Sequence, residues 1–162
     1  MRRAFILLAT ATLVLGAASF TFASASNTKP RAHDQSRVLQ IKAIDVASQF
    51  IDLGVEGYSQ GDQNVFTSDL FAESRRVGYD GGTCTVVRVN DDGSSVLQCL
   101  GTNRLPGGQI SVQGFVDISA EGALQPFKLG ITGGTQRYHK AHGQVVGTPI
   151  SETELDLRFH IR

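Results

Sequence analysis

The last nine residues alternate almost without fault, with Leu155, Leu157, Phe159 and Ile161 on one side of an extended chain and Asp156, Arg158 and His160 on the other. Side chains of a strand point to opposite faces in turn, so this period of two suits a strand that is dry on one face and wet on the other. Extended signals recur at residues 38–47, 64–71, 77–89, 94–100, 109–118, 127–132 and 143–148, which with 154–162 makes eight strands. No segment carries convincing helical periodicity, although residues 46–53 suit a short helical turn. Glycine is plentiful at 18 residues and proline scarce at 4, which favours short strands joined by tight turns. The expectation is an all-β chain with one domain, residues 38–162, folded as an eight-stranded antiparallel up-and-down β-barrel rather than a sandwich. A barrel of that size can hold one small ligand in its interior, which points to a pocket function.

The only cysteines, Cys84 and Cys99, lie on the two arms of the clearest hairpin. Thr83 to Val89 is rich in β-branched residues, Asn90-Asp91-Asp92-Gly93 is a turn signal, and an extended pattern resumes at Ser94. With Val89 facing Ser94 across that four-residue loop, counting back residue for residue brings Cys84 opposite Cys99. Facing residues at a non-hydrogen-bonded position have Cα atoms about 4.5 Å apart, within reach of a disulfide. A turn slipped onto Asp92-Gly93 would spoil this register. The rival readings are a reactive thiol and a metal ligand, and no companion histidine stands nearby to support the second.

The chain opens with Met1-Arg2-Arg3, continues without a charge to Phe22, and reaches the small-x-small pattern Ala23-Ser24-Ala25. That order is expected of a secretory signal peptide over residues 1–25, which implies export and leaves no stable membrane span after cleavage. Residues 26–37 are polar, contain Pro30, and read as a flexible leader. The 162-residue chain has 15 basic and 15 acidic side chains; removing Arg2 and Arg3 leaves 13 against 15. Such a balance, with no basic tract, argues against a nucleic-acid partner. No Ser-His-Asp arrangement, zinc motif or nucleotide fingerprint is present, so neither a metal nor a cofactor is expected. The pair Gly133-Gly134 reads as a tight turn between strands, not as a phosphate cradle.

From Gly61-Asp62 onward, through Val65-Phe66-Thr67, Leu70-Phe71, Val77-Gly78, Gly82-Thr83-Cys84 and Ile110 to Gly114, the sequence resembles the allene oxide cyclase and dirigent protein superfamily. The resemblance is sharpest at Ile131-Thr132-Gly133-Gly134-Thr135, Tyr138, Ala141 and Gly143-Gln144-Val145. It implies the calycin-type eight-stranded barrel, homo-oligomers such as trimers or dimers, and a hydrophobic small molecule as substrate or ligand. It also implies a cofactor-free cyclase or isomerase acting on an unsaturated compound. The alternative is a non-catalytic protein, either dirigent-like in steering another enzyme's product or a carrier of lipophilic ligands. Ser68 occupies the place of an asparagine in the cyclases, Arg137 a place where dirigents use an acid, and Cys84 the place of a cyclase cysteine.

A cyclase of this kind needs a polar group inside an apolar pocket. Asp45 shares a strand face with Leu39, Ile41 and Ala43, and is either an inward catalytic carboxyl or a solvated strand end. Asp52 is either catalytic or a folding element of the loop over the barrel mouth. Tyr138 either meets the substrate or belongs to the core. Ser68, Tyr79, Gln113 and Arg137 are candidates for contact with substrate, although Arg137 suits a solvated turn charge better than a hold for an anionic group.

Overall fold

The computed structural model describes residues 37–162. Eight antiparallel strands follow one another around a closed barrel: β1 (Arg37–Ile51), β2 (Gln63–Ala72), β3 (Arg75–Val89), β4 (Ser95–Leu105), β5 (Gly108–Ile118), β6 (Phe127–Gly134), β7 (Gly143–Pro149) and β8 (Glu154–Ile161). The only helical element among the described residues is a single 3-10 turn, Gln136–Tyr138, between β6 and β7. The expected export signal and nearly all of the expected leader lie outside the described residues; Arg37 already opens β1. Among the described residues no helix is long and apolar enough to cross a membrane.

Closure is made by β8, which pairs with β7 on one side and returns to β1 on the other, from Arg37 opposite Ile161 to Ile44 opposite Glu154. The alternation of β8 lies as its pattern demands, with Leu157, Phe159 and Ile161 buried inside. Phe159, Leu70, Ile110 and Val145 fill one half of the interior and form its floor. The helical turn suited to residues 46–53 does not form: β1 runs on to Ile51, and a bulge between Asp45 and Ala47 bends it along β2. Partner strands supply the backbone hydrogen bonds that a helix would otherwise have to make internally.

The cysteine hairpin keeps its central register, with Cys84 opposite Cys99 and a disulfide between them across a Cα separation of 4.0 Å. Its tip differs from expectation. A bulge between Val86 and Arg88 moves Val89 opposite Ser95, not Ser94. The freed residue joins the turn, where Asn90 N donates to Ser94 O at 2.8 Å and Ser94 N donates to Asp92 Oδ1 at 2.9 Å.

The two barrel ends are built differently. At one end the connections are short or folded inward. Tyr138 is buried there and its hydroxyl donates to Pro106 O at 3.3 Å, while Arg137 N donates to Gly107 O at 2.9 Å. The glycine pair read as a turn instead completes β6. A side chain on Gly134 would meet the Gln109 and Tyr138 carbonyls at 2.5 Å, so this glycine lets the capping segment sit against the barrel. At the other end the β1–β2, β3–β4, β5–β6 and β7–β8 loops surround an open mouth. Buried Asp62 holds the first of these by accepting Leu53 N at 2.8 Å and Ser59 N at 2.6 Å.

Candidate active site

The half of the interior that the floor residues leave unfilled is a cavity of about 630 Å³, entered from the mouth between residues 121–124 and 149–155. One wall is apolar, built from inward positions such as Leu97, Val116, Phe127, Leu129 and Leu155. The other, on β1, β2 and β3, carries Asp45, Ser48, Asn64, Ser68 and Asp80. The disulfide forms part of the lining.

Register explains the polar wall. Asp45 lies opposite Ser68, Ser68 opposite Asp80, and Asp80 opposite Asn103, so four inward positions on four adjacent strands form one row. Asp45 is exposed at the mouth end, whereas Ser68, Asp80 and Asn103 are 6%, 7% and 4% exposed. Asp45 N donates to Thr153 O at 2.9 Å, which ties the β7–β8 loop to this row. Ser68 N donates to Asp80 Oδ1 at 2.9 Å, and the Ser68 side chain also hydrogen-bonds that carboxylate. Burial nevertheless pushes the Asp80 carboxyl above the usual aspartate range; the Ser68 hydrogen bonds pull it back in part, and the negative charge of Asp45 raises it further. Asn103 Oδ1 is buried with no hydrogen-bond partner among the described residues.

The arrangement suits acid–base work on a molecule gripped mainly by apolar contact. A carboxyl whose protonation burial favours can, in its protonated form, donate to a substrate oxygen or nitrogen, and low local dielectric strengthens the effect. Among the described residues no group of three or more His, Cys, Asp or Glu side chains is arranged to hold a metal ion.

Of the residues singled out from sequence, Asp45 and Ser68 meet in the cavity beside the Cys84–Cys99 bridge. The others do not join them. Asp52 sits exposed on the β1–β2 loop, where Oδ2 accepts Gly57 N at 2.9 Å. Tyr79 faces outward, its hydroxyl accepting from Arg104 at 3.0 Å, and Gln113 is exposed on the outer wall of β5. Arg137 and Tyr138 belong to the capped end, away from the cavity lining. Sequence reasoning missed Asp80 and Asn103. The signal was present: each lies four residues from a cysteine, so a bridge facing inward places both on the inner face.

Residues 42–161 match the family described as the allene oxide cyclase barrel-like domain. The chain belongs to this family. A pyocyanin demethylase structure is 25% identical, with 78% of this chain and 100% of that one covered at a TM-score of 0.70. The family's barrel also recurs in an exo-specific intermolecular Diels-Alderase, 14% identical with 78% and 97% covered and a TM-score of 0.58. A Diels-Alderase from Streptomyces koyangensis is 18% identical, with 79% and 71% covered and a TM-score of 0.57. Those two likenesses concern the fold. No curated protein matches the chain.

Proposed function

We propose that the protein is a cofactor-free cyclase or isomerase acting on an unsaturated hydrophobic small molecule held in the barrel. The observation that carries this reading is the buried carboxyl of Asp80 in a cavity whose opposite wall is apolar. The apolar wall would fold a flexible substrate into a near-attack shape and exclude water. Asp80, in its protonated form, would donate to a heteroatom of the substrate and draw electron density towards it. Asp45 would balance positive charge developing elsewhere or accept a proton, with Ser68 between the two carboxyl groups holding Asp80 in place. General acid–base assistance of this kind is worth roughly 10²–10⁴-fold in rate. The expected signal peptide and the disulfide together support a secreted protein, since an oxidising compartment favours the bridge. Outward-facing Val65, Leu100 and Phe115 support self-association as a trimer or dimer.

The test is mass spectrometry of a hydrophobic metabolite extract before and after incubation with catalytic amounts of the purified protein. A product of unchanged mass and altered retention is expected, and Asp80→Asn should slow its formation at least tenfold. A compound recovered unaltered from the protein, with no product formed, would make it a carrier and end the enzymatic reading.

The similarity to a pyocyanin demethylase favours a second reading, in which pyocyanin or a related aromatic compound is the substrate. Phe66 and Phe127 on the cavity wall offer ring surfaces for such a ligand. With a second pyocyanin molecule as the two-electron acceptor and water supplying the oxygen, a product lighter by one CH₂ unit formed together with formaldehyde would identify this activity.

A further inference from the structure

The charge on the cavity lining is one-sided. Asp45, Asp80, Glu121, Glu152 and Glu154 contribute to it, and no Lys, Arg or His does. Glu154 is balanced from outside the lining by Lys42, whose Nζ lies 3.0 Å from Oε2. Asp45, Glu121 and Glu152 are exposed around the mouth, and no ion pair to them is found among the described residues. Deeper in, buried Asp80 adds a further carboxyl to the lining. The lining therefore carries negative charge with no basic side chain of its own to offset it.

We infer that the cavity selects an amphiphilic cation, with a protonated amine or similar N–H-bearing head on an apolar body, and rejects fatty carboxylates. The inference rests on the cavity being the ligand site proposed above. An ammonium head has three N–H donors and no acceptor, which complements the carboxylates around the mouth. The exposed position of Asp45, Glu121 and Glu152 lets the head keep part of its hydration, so the cost of desolvating it stays small. The body reaches the apolar wall, where Phe66 and Phe127 add ring surface that tolerates a nearby cation. A carboxylate head at the same place would face like charges with no basic side chain to receive it.

Decylammonium, decanol and decanoate form a series of one chain length with positive, neutral and negative heads. Their binding to the purified protein is measured by calorimetry near pH 7, below micelle-forming concentrations. Decylammonium should bind about tenfold more tightly than decanol, and decanoate more weakly than decanol. Glu121→Gln with Glu152→Gln should erase most of that preference, measured relative to decanol binding in the same variant. Both side chains are exposed, and Glu152→Gln alone gives a partial loss should the pair of changes disturb folding. Decanoate binding as tightly as decylammonium would overturn the inference, as would a cation preference that survives the charge removal. Decanol and decanoate binding equally well, with no gain for the amine, removes the charge selection alone. Failure of all three to bind removes the apolar ligand site itself, and this inference with it.

Discussion

Cutting the Cys84–Cys99 bridge probes the hairpin that forms part of the cavity wall. The bridge spans 15 residues of chain. On the chain-entropy account, closing a loop of that length restricts the unfolded state by about 3 kcal/mol at 25 °C. A barrel the size of residues 37–162 has an unfolding entropy of about 2.1 cal/mol/K per residue, which converts that loss into about 11 °C of melting temperature. The perturbation is Cys84→Ala with Cys99→Ala, compared with the oxidised protein by thermal and urea unfolding under circular dichroism. Thiol titration of the unfolded wild-type chain confirms that the bridge was closed. The urea slope should rise in the variant, because an unfolded chain without the cross-link exposes more surface. A loss under about 1 kcal/mol, with the wild type fully oxidised, would refute the reasoning. It would mean that the turn from Asn90 to Ser94, with its own side-chain and backbone hydrogen bonds, already holds the hairpin closed in the unfolded chain.

Asp80→Asn should stabilise the protein increasingly as pH rises. Burial raises the folded-state pKa above its unfolded value, so the native protein's preference for the protonated form supports stability below the ordinary aspartate range and is lost as pH climbs through the raised value. Urea unfolding of both proteins between about pH 4 and pH 7 should show the variant gaining on the wild type, and a constant difference would contradict this. The same titration should lower wild-type turnover as pH rises, if the protonated carboxyl is the working form. Phe159→Ala, at a fully buried site on the floor, should cost about 3–5 kcal/mol in chemical denaturation; a cost below about 2 would show that the floor collapses into the space. Asp62→Ala should leave the Leu53 and Ser59 amides without their carboxylate, costing about 1–3 kcal/mol and speeding hydrogen exchange in the loop spanning residues 52–61. Unchanged exchange there would assign the loop's order to the Phe50–Tyr58 stack instead.

The family resemblance and the eight-strand pattern were legible without coordinates because both rest on local order. Alternation along β8 reports which side chains share a face, and the spacing of Cys84 and Cys99 about a turn signal reports their register. The bulges were not legible. A single extra residue in β1 or β3 satisfies local preferences equally well before or after the bend, and only pairing with the neighbouring strand chooses. The same limit hid the difference between the barrel ends. Tyr138 and Tyr79 have the residue type expected of a site and Asp80 directly follows the second, yet Tyr138 packs into the capped end, Tyr79 faces outward and Asp80 joins the cavity wall.

Composition and period, then, were enough for the strands, the hairpin bridge and the sharing of one strand face by Asp45 with Leu39, Ile41 and Ala43, since each depends on neighbours a few residues away. The row of Asp45, Ser68, Asp80 and Asn103 draws on residues far apart in sequence and exists only because four strands pair in one register. Which half of the interior is filled, and which keeps a space with a carboxyl buried beside it, was decided when β8 closed against β1 and brought Phe159 and Leu70 together in the core. Closure is a non-local event, and the environment that raises the Asp80 carboxyl comes from it.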